Sequence, residues 1–520
     1  MSKFYEKVAY RDVEEDVKSQ KSVDKWIFRL LLIVIGFVPL VVMAKVIEVQ
    51  SPLVTNVDIL QSGEKGDLFT YYKSLIVIII TILAGLMLLA KILFMNGEIR
   101  KTKINYAIGA FAVAIVISTI FSPNISIALH GLYNRSDGAI SWLCYLALFF
   151  IAMNIDYPKK ALNYILYSLY PFVIINLFII TMNFYGNDLL QKAPVKKLVM
   201  LFLPEGAELS DGSVLVGTLN QWNYMSGMFA IMTVMFLTAA VLEKNIGRAI
   251  GHLAVAIMSI AIMLMSISTS GFLTVCVMMV VVLFVAFRSE KKVQSFAMIT
   301  VFFVVSAPVF HVLASKDARV WTESVGFVVK SNPYLKEEPA PVTSMKRDME
   351  FEWMTKAYAA EKFELPLLPE RAISAGSGRV YIWNKTMDLV KERPFFGYGL
   401  DTLVYNFPHY SIDARAGMWD ENTITDKPHN MYVGLLYGTG IVGFLSAIIL
   451  LAMSLFSTLK VAIKNNQSNI WILGIAWIAY LLQGVFNDSL PGSSAMMWVI
   501  AGVLLAMTFK NKEQLNGRDK

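Results

Sequence analysis

Apolar runs of about 18 residues or more recur along this chain, and they decide most of what it can fold into. A helix of that length crosses a hydrocarbon core roughly 30 Å thick. In lipid, backbone groups find partners only within a helix or a closed barrel, and these runs are too long for barrel strands. Spans are expected near 26–46, 73–96, 104–121, 139–154, 162–182, 221–242, 249–267, 270–287, 294–314, 430–457, 469–487 and 491–509. The reading is an all-α polytopic membrane protein with about 12 transmembrane helices. A hydrophobic content of 56% excludes an ordinary soluble globule, whose surface needs charge.

Basic residues set the orientation. Those of the first 25 residues, of 100–103, 158–160, 244–248, 288–292 and 460–464, and of the C-terminal tail all fall on one side, read as cytoplasmic. The first 25 residues are too polar and too long for a cleaved leader, so the first span is read as an anchor. Five tracts then face outward: 47–72, 122–138, 183–220, 315–429 and 488–490. The organisation expected is a cytoplasmic tail at 1–25, spans one to nine at 26–314, a large, partly helical extracytoplasmic loop at 315–429, spans ten to twelve at 430–509 and a cytoplasmic tail at 510–520. The net charge of +7 is spread over loops rather than gathered on one face, which argues against nucleic-acid binding. Within the large loop, "RVYIWNKTMDLVKERP" places Val380, Trp383, Met387 and Val390 at helical spacing, and Pro394 stops the helix. A second helix is expected at 347–362.

Ionisable residues are nearly absent from the spans, whereas ion-coupled transport needs them at mid-membrane. The polar chemistry sits on the outer loops. Cys144 and Cys276 lie in apolar runs and read as small core residues. No metal motif appears: Asp401, Asp420, Glu421 and Asp426 lack a ligand spacing. No cofactor is expected.

Of five histidines, His252 and His311 read as packing residues, and His130, His409 and His429 lie in or beside outer loops. His429 has the richest context, "KPHNMYVGLLYGTGIVG". Pro428 suits a first helical turn, with Thr425 or Asp426 as its cap. A helix N-terminus disfavours imidazolium and attracts anions, which suits a neutral His acting as general base beside a phosphate. An interfacial His in the first turn of a span fits the same residues. Asn430 orients His429, binds sugar or satisfies that first turn. Arg379 and Arg135 are outer cations whose guanidinium groups match phosphate oxygens. Outer aromatics, Trp383 and Tyr398 among them, stack on sugar rings or form an interface belt. The glycines at 434–443 let helices approach closely or bend the span.

Three stretches carry a resemblance to the O-antigen ligase and O-antigen polymerase superfamily. They are "FSPNISIALHGLYNRSDGAISW" at 121–142, "GTLNQWNYMSG" at 217–227, and "GRVYIWNKTMDLVKERPFFGYGLDT" followed by "KPHNMYVGLLYGTGIVGF". The chain departs from the pattern where Val216 stands before Gly217 and where "STSGF" at 268–272 lacks an Arg; Lys192, Lys196, Lys197 or Arg135 are candidates to replace that charge. The resemblance implies a metal-independent glycosyltransferase of the bacterial cytoplasmic membrane, with its active site outside and both termini inside. It would take a polyprenyl-diphosphate-linked oligosaccharide donor and join it to a glycan acceptor for a surface polysaccharide, as polymerase before ligase. By the same resemblance His429 and Arg379 are catalytic, and Arg135, Asn430, Asn223, Trp383 and Tyr398 bind substrate. The alternative is a lipid-linked glycan flippase or another 12-span transporter.

Overall fold

A computed structural model gives the fold and describes residues 13–53, 58–204, 206–207, 209, 214–219, 221–335, 378–409 and 424–516. Each expected span meets a helix. These are α1 (Val13–Gly36), α2 (Tyr71–Phe94), α3 (Ile104–Ile120), α4 (Ala139–Met153), α5 (Ala161–Phe184), α6 (Trp222–Leu242), α7 (Ile246–Met265), α8 (Thr269–Arg288) and α9 (Lys292–Lys316). After the amphipathic α10 (Arg379–Glu392) come α11 (Met431–Asn465), α12 (Ser468–Gln483) and α13 (Pro491–Asn516). Among the described residues, 8 helices are long and apolar enough to cross a membrane; α3, α4 and α12 are apolar but shorter. The chain is an all-α polytopic membrane protein.

The first span departs from expectation. Its helix begins at Val13, inside the expected tail, and ends at Gly36. Pro39 then sits in a 3-10 turn at Val38–Leu40, where its missing N–H breaks the α ladder. Lys45–Val49 (β1) is a strand, paired antiparallel with Gly63–Asp67 (β2) in the register Lys45 to Asp67. The expected helix at 347–362 lies outside the described residues, as do Asp420 and Glu421.

α6 and α13 form the centre, 94% and 89% buried along their apolar windows, while α2 and α9 are 33% and 28% buried and turn side chains outward. Thr233 and Thr238 within α6 donate to carbonyls one turn back, so their burial leaves no hydroxyl unpaired. Trp142, Trp477 and Trp498 lock α4, α12 and α13 edge to face, with ring centres 6.1 and 5.6 Å apart. The spans hold more charge than their sequence suggests. Lys91 pairs with Asp24 at 2.6 Å, both buried, and the buried Lys73 ammonium donates to the Thr218 carbonyl. Cys144 is buried, but Cys276 is exposed on the outside of the bundle, so only the first is a core residue.

The bundle has two chemically different ends. At one, Lys244 meets Glu290, Arg100 meets Asp156, and Arg288 donates to the Ile463 carbonyl, joining the short basic loops. At the other, Arg135 reaches Asp401 and Asp426, and Asn223 reaches Asn487. The loops expected on the outer side therefore converge.

α11 bends at Gly440, whose φ of 63° interrupts the helix. The chain turn 394–399 fills the break. Tyr398 and Gly399 donate to the carbonyls of Tyr437 and Gly438, and Ile441 donates to that of Pro394. Broken helices persist at such depth only when the protein satisfies the freed groups, as here. A Cβ on Gly440 would lie 2.4 Å from the Phe395 carbonyl. Gly440→Ala is therefore expected to cost about 1–3 kcal/mol from its positive-φ backbone, a region kept almost wholly for glycine, with the clash added. It should lower the melting temperature in detergent; an unchanged melting temperature would show that the 394–399 turn yields freely.

Candidate active site

His429 stands just ahead of α11. Its φ of 50° is left-handed, uncommon for a residue with a side chain and a feature that clusters at functional sites. That backbone turn explains why the helix starts at Met431 and not at Pro428. The cap is Asn430, whose side-chain oxygen accepts from the N–H groups of Tyr432 and Val433 at 2.9 and 3.1 Å. Of the three roles open to Asn430, satisfying the first turn is the one its side chain performs in the structure. Thr425 and Asp426 lie too far upstream to cap.

The left-handed turn aims the imidazole at two carboxylates. Nδ1 lies 3.5 Å from Oδ2 of Asp488, and Nε2 lies 4.0 Å from Oδ1 of Asp426. Asp488 belongs to the tight connection between α12 and α13. Burial would raise its pKa, but His429, Lys427 and Arg135 outweigh burial and hold the carboxyl below its usual range. An ionised carboxylate thus sits behind the imidazole, and its other oxygen accepts from the backbone N–H of Asn430 at 3.2 Å. The imidazole itself is 29% exposed, open to an incoming group.

Around this pair the charges are arranged in depth. Arg135 is buried, with its guanidinium on Asp401 at 3.0 Å and on Asp426 at 2.6 Å. Burial disfavours its charge, yet the two carboxylates overcome that and hold it more firmly protonated than usual. Lys427 is buried, with Nζ 3.3 Å from the Ser489 carbonyl. Asp137 accepts from the Ser489 hydroxyl, and burial pushes its carboxyl up to about 7. Removing one partner of a buried pair strands the other, which costs about 3–5 kcal/mol. Arg135→Gln should therefore melt well below wild type, and adding Asp401→Asn should recover part of the loss. A single variant as stable as wild type would show that the network does not brace the site.

α10 brings the remaining groups. Arg379 and Trp383 are four residues apart and share one face of this helix. Trp383 donates Nε1–H to the Pro428 carbonyl at 2.7 Å, which seats that face against the His429 turn. Arg379 is partly buried beside Asp488 and Tyr224; burial lowers its pKa and those two groups work against the shift. Among the described residues it has no ion-pair partner within contact distance, in contrast to Arg135. Gly378, with φ of 85°, turns the chain into the helix just ahead of it.

The other residues named from sequence fall into clear places. Tyr398 stacks on Tyr437 at 5.2 Å and donates to Glu392 at 2.5 Å, so its ring is spent on packing against α11. Asn223 donates to Asn487 at 3.1 Å, beside Asp488. Lys192, Lys196 and Lys197 are exposed around the short helix Ala193–Val199. His252 packs among Tyr167, Tyr170 and Phe236, His311 meets Tyr334 at 2.9 Å, and His409 is bonded to the Val404 carbonyl. His130 is exposed and bonded to its own helix at the Ser126 carbonyl. Among the described residues no three His, Cys, Asp or Glu side chains gather as a metal-ligand set.

Asp488, Lys427 and Asp137 join the site only through the fold. The one signal for Asp488 was local: "FNDSLPG" sets an acid in a very short outer turn between two apolar helices, a costly place for a charge without a task.

Fold and site together define a polytopic membrane protein with a histidine–carboxylate pair, an arginine committed to two carboxylates and one without an ion-pair partner among the described residues, at a single end of the bundle. Residues 253–448 match the family model described as O-Antigen ligase, which supports the resemblance to the O-antigen ligase and polymerase superfamily. The match indicates membrane glycan processing of that general type. It takes in Arg379, Trp383, Tyr398, His429 and Asn430, while Arg135, Asn223 and Asp488 lie outside it. No curated protein matches the chain.

Proposed function

We propose that this protein is a membrane glycosyltransferase that extends polyprenyl-diphosphate-linked oligosaccharides at the outer face of a bacterial cytoplasmic membrane, with both termini inside. The observation that carries the reading is the pairing of an open His429–Asp488 dyad with Arg379 on the adjacent face of α10.

In this reading His429 takes the proton of the acceptor hydroxyl as that oxygen attacks the anomeric carbon of the donor. Asp488 holds the imidazole and stabilises the imidazolium that forms. The bond from the anomeric carbon to the diphosphate breaks, and the diphosphate leaves with the electron pair. Arg379 meets the charge that develops on it. A partly desolvated cation without an ion-pair partner among the described residues interacts strongly with charge arriving in the transition state. Arg135 has no such freedom; its part is to hold Asp426 and Asp401 around the turn. Trp383 fixes that turn through Pro428, and Asn430 anchors it to α11. No step in this scheme needs a metal ion.

Polymerase is favoured over ligase by the resemblance of the 121–142 stretch to polymerases of cell-wall and capsule glycans. The test is a deletion strain whose lipid-linked glycans are sized. Single units left on the carrier are the result expected of a lost polymerase. Long chains left on the carrier would assign the protein as a ligase.

A further inference from the structure

A second cavity lies at the opposite end of the bundle, far from His429. It has a volume of about 750 Å³ and is lined by Lys21, Lys25, Arg29 and Lys510 together with Asp24, Asp156, Phe28 and Tyr164. α13 gives the separation: it begins beside Asp488, and from Pro491 to Lys510 it rises roughly 28 Å, about the thickness of a hydrocarbon core. The cavity therefore opens where the other leaflet's headgroups would lie, among the basic loops.

The charge in this cavity is one-sided once its internal pairs are taken out. Asp24 is neutralised by Lys91 at 2.6 Å and Asp156 by Arg100 at 3.0 Å. Lys21, Lys25, Arg29 and Lys510 have no carboxylate partner within contact distance among the described residues, and all four are exposed. Arg29 instead lies over the Trp26 ring at 4.4 Å, and that ring is 53% exposed. Phe28 and Tyr164 supply an apolar wall, and Tyr164 is itself exposed on the outside of the bundle. Four cations without a carboxylate partner among the described residues, above an apolar wall at the depth where headgroup meets acyl chain, form a receptor for a phosphate carrying a hydrophobic tail. Basic pockets between membrane helices on the cytoplasmic side recognise anionic lipid headgroups in this way.

We infer that this cavity is a binding site for an anionic glycerophospholipid, its phosphate held by Lys21, Lys25, Arg29 and Lys510 and its chains lying along Phe28 and Tyr164. The site is separate from the glycan chemistry and does not depend on it. The test is titration of the full-length protein in detergent with phosphatidylglycerol, or with phosphatidylcholine of the same acyl chains, followed by native mass spectrometry. Phosphatidylglycerol should bind at least about 10-fold more tightly. Lys25→Gln/Arg29→Gln/Lys510→Gln should weaken it on the order of 10- to 100-fold. Lys101→Gln/Lys160→Gln/Lys292→Gln, with the same charge change at the same end of the bundle, should leave it unchanged. Equal affinity for the two lipids, or equal loss in both triple variants, would overturn the inference. Displacement of the lipid by inorganic phosphate at comparable concentration would also overturn it, by assigning the cavity to a soluble phosphate. If the first triple variant does not fold, the lipid comparison and the phosphate competition on wild type still decide.

Discussion

A His429→Ala protein is expected to turn over about 10²–10⁴-fold more slowly than wild type, the range for loss of a general acid–base residue, while keeping its fold. The two halves of that expectation rest on different contacts. The imidazole is the group that faces Asp488 at 3.5 Å and remains partly open to solvent. The start of α11 is held by other atoms: the Asn430 side chain caps it, and the Met431 N–H donates to the Gly484 carbonyl at 2.7 Å. Removing the imidazole leaves Asp488 with the charges of Lys427 and Arg135 and the N–H of Asn430. Rates on a lipid-linked donor, measured beside melting curves, separate chemistry from folding. Near-normal turnover by a well-folded His429→Ala protein would end its assignment as base.

The second large effect is at Arg379. Arg379→Gln should lower turnover by about 10²–10³-fold, the usual loss when one preorganised group aimed at developing charge is removed. Stability should change little, since the guanidinium has no ion-pair partner among the described residues to strand. Arg379→Lys keeps the charge but not the planar fork, so it should fall between the two. The comparison with Arg135→Gln is informative. That change is expected to act mainly on stability, because its guanidinium is committed to Asp401 and Asp426. If Arg379→Gln lowered the melting temperature and spared turnover, Arg379 would belong with Arg135 as a brace.

Much of the fold was legible because lipid imposes few choices. An apolar run in a bilayer must be helical, and each expected span meets a helix. The period of Val380, Trp383, Met387 and Val390 likewise marked α10, whose end at Glu392 precedes Pro394. The end of the first span was harder. "VVMAKVIEV" is apolar enough to prolong a helix, and its pairing with the distant β2 is a tertiary event with no local mark. The site was legible only in part, for the same reason. His429 and Arg379 stand in distinctive local contexts, but Asp488 joins them from 59 residues beyond His429, across α11 and α12. Nor does a sequence show which charges are already spent. Arg135 and Arg379 look alike as outer cations, and only the fold reveals that one is bound to two carboxylates. The left-handed turn at His429 moved the helix start from Pro428 to Met431, and no residue type there announces it.

Glycan transfer and glycan transport across a membrane lead to opposite outcomes for this chain. The most direct measurement uses purified full-length protein in detergent, where no second compartment exists. It is incubated with a single-unit polyprenyl-diphosphate-linked oligosaccharide, and the lipid-linked products are sized. If the proposed transfer holds, longer lipid-linked chains appear, and they fail to appear with His429→Ala. No lengthening in detergent, together with movement of the same donor across vesicles containing the protein, would contradict it and establish a flippase.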